Sequence, residues 1–378
     1  MGQTFDIAAP RAGQMIQMCG LMTEILFDGS ARNLVNALVV PRRLKRASRE
    51  ANSRLASPNS AAKHQARSTS IQSSTWSEKT KGPCVGNGTV DLLSLPVELL
   101  CYIFDELEFI QDVLSLGMAN RHLWRIAEEN LEQYYRSFYG QLSNQNIVCF
   151  GEYTEPHDYP PGIFSDAEIQ HLQRCKFGDM VTVDADFDWG GEADMLEHPF
   201  TPYDFTMEEV AEEVKTDVDL RSEYIKLLGY FCRKGILDDC AFQAVSPGWA
   251  IDSTTYVPED RPWILRNLTT TEFVRSEAIA LRPEFIHGPY IEHIGFGEVI
   301  LSRIGWTSHD REGKAKPGTI YRGVWAGHRF DIVDLASHDD DASASGVQWT
   351  DVSSEVADEI AKIWEEVFGE NWRDDITK

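Results

Sequence analysis

Apolar and polar positions divide this chain into blocks of different character. Leu21 to Phe27 and Leu34 to Val40 are modest apolar runs on either side of Asp28-Gly29, a turn pair. From about 48 to 88 the chain is rich in Ser, Ala and Gln, and Trp76 is its only aromatic residue. Such a stretch cannot bury enough surface to offset the entropy of ordering, so a flexible linker is expected over 48–90. At Asp91 the pattern turns helical. Pro96 suits a first helical turn, where its missing N–H would be unpaired anyway, and Glu98 then lies where the helix dipole favours an anion. Leu99, Leu100, Ile103, Phe104 and Leu107 recur at helical spacing as one broad apolar stripe. Asp112 is a candidate cap for a second helix carrying Val113, Leu114, Leu116 and Met118, and Asn120 for a third carrying Leu123, Trp124, Ile126 and Ala127.

Beyond this point the pattern is mixed. Tyr134, Tyr135 and Phe138 continue a helix, and Ile147 to Phe150 reads as a short extended piece. Ser165 and Glu168 stand at capping-box spacing before a helix reaching Cys175, and 217–232 carries a helical stripe. Thr269-Thr270-Thr271-Glu272 has the same capping spacing and predicts a helix to about Leu281. Ile291 to Ile304 and Gly318 to Leu335 predict antiparallel strands, with a bend at Gly327-His328 and an acidic loop over 336–346. Ser354 to Phe368 predicts an amphipathic helix. The expected fold class is α+β: an N-terminal three-helix module followed by a mixed helix and antiparallel-sheet body. The expected divisions are 1–47, a short N-terminal segment; 48–90, linker; 91–135, the helical module; and 136–378, the body.

Composition adds an asymmetry. The 378 residues carry a net charge of −25, yet residues 1–90 hold 12 Lys/Arg against 5 Asp/Glu, and the rest 23 against 55. So acidic a body repels a phosphate backbone, and no nucleic acid is expected as a partner. Pro41-Arg42-Arg43-Leu44-Lys45-Arg46 admits a nuclear import signal or a solvated charge run. The expected location is cytoplasmic, nuclear or both. Seven cysteines without a CxxC pair fit a reducing compartment. Nothing resembles a signal peptide or a membrane span, and Asp6 stands where a myristoylation motif needs Ser or Thr.

Candidate chemistry thins out on inspection. Asp184-x-Asp186-x-Asp188 lacks the later Gly and Glu of a calcium loop, since Trp189 and Met195 occupy those positions. Gly295-x-Gly297 lacks the rest of a phosphate loop. His287, His293, His309 and His328 have no zinc spacing, Cys232 and Cys240 no visible base, and Ser302, Ser308 and Asp331 no nucleophile elbow. No cofactor, metal or catalytic residue is expected.

Leu95-Pro96-x-Glu98-Leu99-Leu100-x-x-Ile103-Phe104, then Leu107, Asp112-Val113-Leu114 and Asn120-Arg121-His122-Leu123-Trp124, together resemble the F-box motif over about 40 residues. Gly117 departs from it by lowering the helicity of the second helix. Further segments are similar to a group of filamentous-fungal F-box proteins. They are Met1-Gly2-Gln3-x-Phe5, Glu24 to Gly29, Trp263 to Thr269 and Tyr321 to Phe330.

The resemblance implies a non-catalytic substrate receptor of an SCF-type ubiquitin ligase. It would bind a Skp-type adaptor, with a cullin and a RING protein beyond, and select an unknown protein through its C-terminal body. Adaptor contact would fall on Leu95, Pro96, Leu99, Leu100, Ile103 and Leu107, with Trp124 as a packing or contact residue. Trp306 and Arg329 are candidate substrate-binding residues, beside Trp263, Arg266 and Trp325, because Trp and Arg anchor interfaces. The alternatives are an F-box-like interaction module outside a ligase, and a ligand-binding or enzymatic α+β domain.

Overall fold

A computed structural model of the chain describes residues 3–27, 31–41, 92–107, 109–181, 197–215, 233, 257–309 and 320–377. The Asp28-Gly29 turn, the basic cluster from Arg42, the 48–90 linker, the 184/186/188 aspartates, the 217–232 helix and Cys84, Cys232 and Cys240 lie outside them.

The elements run β1 (Phe5–Ala9), β2 (Gln14–Gly20), α1 (Met22–Phe27), α2 (Ala31–Leu38), α3 (Val97–Asp105), α4 (Ile110–Met118), α5 (Arg121–Ser137), β3 (Val148–Gly151), α6 (Asp166–Leu172) and α7 (Phe177–Met180). They continue with β4 (Glu212–Glu213), β5 (Trp263–Asn267), β6 (Glu272–Arg275), α8 (Ser276–Ile279), β7 (Ile286–His287), β8 (Tyr290–Ile291), α9 (Phe296–Ile304) and β9 (Gly305–Trp306). The last are β10 (Phe330–Asp334), α10 (Leu335–Ser345), β11 (Thr350–Asp351), α11 (Ser353–Phe368) and α12 (Trp372–Ile376). The fold is α+β. Among the described residues no helix is long and apolar enough to cross a membrane.

The chain divides into two units. One joins residues 1–42 to 133–378; the other is 43–132. This corrects the expectation that 1–47 is a separate leading segment. β1 is fully buried and lies inside a five-stranded sheet of order β4-β2-β1-β3-β9, antiparallel to both neighbours. The N-terminal residues therefore belong to the body's core, and 43–132 interrupts the body rather than preceding it. The break is narrow. The Val40 N–H donates to the Ile332 carbonyl, while the returning Gly140 and Leu142 N–H groups donate to the carbonyls of Asn36 and Ala37. The departing and returning strands of chain thus lie side by side, the geometry that tolerates an inserted unit.

A second sheet of the body has order β10-β5-β6-β11. Here the expected helix after Thr269 is a β-hairpin instead. The Asn267 side-chain oxygen accepts the Thr269 and Thr270 N–H groups, and Thr271 takes φ 57°, so the capping-like residues form a turn. Only Ser276–Ile279 of that helix remains. The expected strand at 291–304 is helix α9, with the Glu298 carboxylate accepting the Gly295 N–H at 2.8 Å. All nine of its residues are buried, so no amphipathic period marks it, and a buried helix and a buried strand then read alike. A Cβ on Gly297 would stand 2.4 Å from the Ala31 carbonyl oxygen, so glycine is what lets α9 lie against α2.

The expected loop at 336–346 is helix α10. Its polar sequence hides the helix, but Asp334 accepts the Ser337 N–H at the start and Gly346 closes the end at φ 67°. The Ser165/Glu168 capping box, the extended piece ending in β3 and the amphipathic α11 occur where expected.

Candidate functional site: an open groove on the first helix of the inserted unit

Within the inserted unit, a 3₁₀ turn at Leu92–Ser94 leads into Pro96, the N-cap of α3. Pro96 has φ −55° and ψ 148°, and its carbonyl accepts the Leu99 and Leu100 N–H groups. Proline thus sets the direction of the chain into the helix without losing a needed donor. α4 begins after Phe109, three residues before the expected Asp112 cap, and Asp112 sits in its first turn. Asn120 opens α5 by accepting the His122 N–H at 2.8 Å.

The single apolar stripe of α3 resolves into two, about 100° apart around the helix. Leu100 and Phe104 are each 1% exposed and face inward. Leu95, Leu99, Ile103 and Leu107, spaced by four, line an open groove of about 520 Å³ together with Tyr102 and Glu106. Leu99 is 47% exposed and Tyr102 66%. The rim is acidic, with exposed Glu98, Asp105 and Glu106.

Four of the seven expected adaptor-contact residues therefore meet in one groove. Leu100 does not, and its assignment to the docking face is corrected: it is core. Pro96 is exposed at the helix start but outside the groove. Trp124 packs between α4 and α5, its ring 3.1 Å from where a Cβ on Gly117 would stand. That Cβ would also meet Ala127 Cβ at 2.4 Å, so Gly117 is a close-packing position rather than a weakness of the helix. Tyr102 and Glu106 were missed; their i, i+4 spacing and their offset of three from Leu99 and Ile103 carried the signal.

The expected substrate-side residues have structural roles in the body. The Trp306 indole N–H donates to the Asp158 carbonyl, and Arg322 stacks 4.3 Å from its ring centroid. Burial pushes the Asp158 carboxyl up, but hydrogen bonds from Arg322 and Ser308 and the Arg322 charge outweigh it and hold it below its usual range. Arg329 is exposed and reaches Asn144 Oδ1 at 3.3 Å. Trp263 and Trp325 are buried, and Arg303 stacks on Trp325. Arg266 makes a buried two-point ion pair with Asp331 at 2.7 and 2.6 Å, with Asp341 as a second partner.

Among the described residues no three His, Cys, Asp or Glu side chains converge as metal ligands. His287 pairs with Glu292, His309 with Glu155 and His328 with Asn267, each apart from the others. Ser308 is bonded to Asp158, Ser302 to the Val299 carbonyl and Asp331 to Arg266, so the three do not assemble around a reacting group. No protein-family model matches the chain, and no curated protein or solved structure matches it.

Proposed function

We propose that the chain is a substrate-recognition subunit of an SCF-type ubiquitin ligase, binding a Skp-type adaptor through the α3 groove. The observation that carries this reading is the row Leu95, Leu99, Ile103 and Leu107 lining one open groove along α3 and its two ends. Those are four of the positions where the F-box resemblance puts adaptor contact. Each such side chain contributes roughly 1.5–3 kcal/mol when fully buried, against several kcal/mol lost on association. A few large apolar anchors on one helix suffice for a specific contact with a partner helix. The acidic rim favours a partner whose apolar face is bordered by basic or polar residues. The body then carries the cargo site, and the ligase chemistry belongs to the cullin and RING partners.

The test is capture of the adaptor by the tagged full chain in extract, read by mass spectrometry. Wild type should recover a Skp-type adaptor and cullin. Leu99→Asp with Ile103→Asp should recover neither, because two carboxylates would be buried unpaired in the interface. Equal recovery by the double variant, or none by wild type, sinks the proposal. Adaptor without cullin would move the chain to an adaptor-bound role outside a ligase.

A further inference from the structure

The body holds several of its arginines in one recurrent way. Arg303 has its guanidinium carbon 4.3 Å from the Trp325 ring centroid and pairs with Glu355 and Glu359, both at 3.0 Å and one turn apart on α11. Arg322 lies 4.3 Å from the Trp306 ring centroid and makes a two-point pair with Asp158. Arg266 lies 5.4 Å from the Trp349 ring centroid while it bonds Asp331 and Asp341. An aromatic face attracts the cation, and a carboxylate takes the in-plane N–H donors, so the two do not compete for the same part of a guanidinium.

The outer edge of α3 carries the same parts without the cation. Glu98, Tyr102 and Glu106 are spaced by four and form a row beside the leucines of the groove. The Glu106 N–H donates to the Tyr102 carbonyl, which keeps Glu106 within the helical turn. Tyr102 is 66% exposed, and it lines the groove together with Glu106, whereas Glu98 does not. Among the described residues no Lys, Arg or His pairs with Glu98, Asp105 or Glu106, and none stacks on Tyr102. Around the helix, the core positions Leu100 and Phe104 lie on one side of the leucine row and this acidic row on the other. A partner that fills the groove therefore brings one defined side against Tyr102 and Glu106. Covering Glu106 there without a cation would leave a desolvated, unpaired carboxylate.

We propose that the docked adaptor places an arginine over the Tyr102 ring and pairs it with Glu106. The leucines then supply apolar anchorage, and the Tyr102–Glu106 edge selects a partner by its charge. The inference rests on the adaptor-binding reading above and adds to it the chemistry of one partner side chain. Arginine rather than lysine is assigned because a guanidinium stacks with its flat face while its edge donates to a carboxylate. Tyr102 and Glu106 lie outside the positions to which the F-box resemblance assigns contact, so this charge selection belongs to this chain.

Titration of the full chain with a purified Skp-type adaptor, read by surface plasmon resonance, tests this. Tyr102→Leu keeps an apolar side chain and removes the ring face, and Glu106→Gln keeps the shape and removes the charge. Each should weaken binding about three- to tenfold, the scale of a partly desolvated cation on a ring or of an interface ion pair. Tyr102→Phe should bind like wild type, because the ring and not the hydroxyl faces the cation. Glu106→Arg should lose more than Glu106→Gln, and added salt should weaken wild type more than Glu106→Gln. Replacing the adaptor's arginines singly by methionine should find one whose loss is non-additive with Tyr102→Leu and with Glu106→Gln. Both residues are exposed, so the circular dichroism melt should not move, and the adaptor-side substitutions keep the test independent of this chain's own stability. Wild-type affinity in either Tyr102→Leu or Glu106→Gln overturns the proposal while leaving adaptor binding in place. So does equal loss in Tyr102→Phe and Tyr102→Leu, tighter binding by Glu106→Arg, or coupling to no adaptor arginine. No adaptor binding by wild type sinks the ligase reading, and this proposal with it.

Discussion

Among the described residues, 92–132 leave five large apolar side chains open to solvent: Leu93, Val97, Leu99, Tyr102 and Phe109. The body, far longer, leaves six. A unit of three helices cannot enclose its own apolar surface, because surface outruns volume at that size. The body has two sheets and several helix faces to place against one another, and it buries almost all of β1, β3, β5, β10 and α9. Open apolar surface on a small unit calls for a partner, whereas in the body it is scattered singly and calls for no explanation. The comparison also separates two ways of building. α3, α4 and α5 are contiguous in sequence, while β1 at residue 5 pairs with β3 at residue 148.

The largest expected effect would break the idea that the inserted unit is the separable one. Removing residues 1–41 takes out β1 and β2, so the body should lose its cooperative melt altogether, read by circular dichroism and proteolysis. Replacing 43–132 by a short Gly/Ser linker should leave the body's melt in place, because the departing and returning chain are already adjacent. A body that folds without its first 41 residues, or fails without 43–132, reverses the assignment.

Next comes the buried ion pair that joins β5 to β10. Arg266→Met strands the Asp331 carboxylate, whose side chain is 9% exposed, and should cost the body about 3–5 kcal/mol in denaturant unfolding. Arg266→Lys should recover only part, since an ammonium cannot make the two-point contact. The inserted unit should be unmoved by either.

Gly117→Ala probes the inserted unit in turn. The added methyl meets Ala127 Cβ at 2.4 Å, so overpacking of about 1–3 kcal/mol should exceed the ~1 kcal/mol gained in helix propensity. Gly117→Ala with Ala127→Gly should restore the packing. A more stable single variant would show that α4 and α5 are not in close contact there.

The smallest effect is a pH slope. His338 is buried, packs between Phe273 and Trp349, and leaves Nδ1 without a partner among the described residues. Burial holds its pKa below 6.5, reinforced by Arg266 and opposed by Asp339, Asp331 and Asp341. The unfolded chain therefore binds the proton more readily. The contribution is complete above pH 6.5 and is lost as pH falls towards the lowered folded value. His338→Phe should flatten the stability profile in that window; an unchanged slope would assign it to other groups.

Much of the inserted unit was legible because its signals are local. The Leu-Pro start, the leucines spaced by four and Asn120 ahead of α5 act within a turn or two of themselves. Legibility failed where one stripe had to be divided between core and partner, as with Leu100 and Leu99, since adjacent helical positions differ only in what covers them. In the body, the capping residues of α6 and the stripe of α11 were local and readable. The Thr269–Thr271 turn was misread because capping spacing and a hairpin turn use the same residues, and the choice lies with β10, which pairs with β5 from more than sixty positions away.

By itself the sequence determined the α+β class, the helical character of 92–137 and the apolar row that one face of α3 presents. Periodicity and capping act over a few residues, and no tertiary contact is needed to express them. The tertiary structure alone decided that residues 3–41 belong to the body, that α9 is a helix, and which leucines of α3 remain open. It also brought Arg32 onto the ring of Tyr290, 258 positions along the chain. Each of these depends on pairing between distant segments, whose register and burial no local pattern encodes.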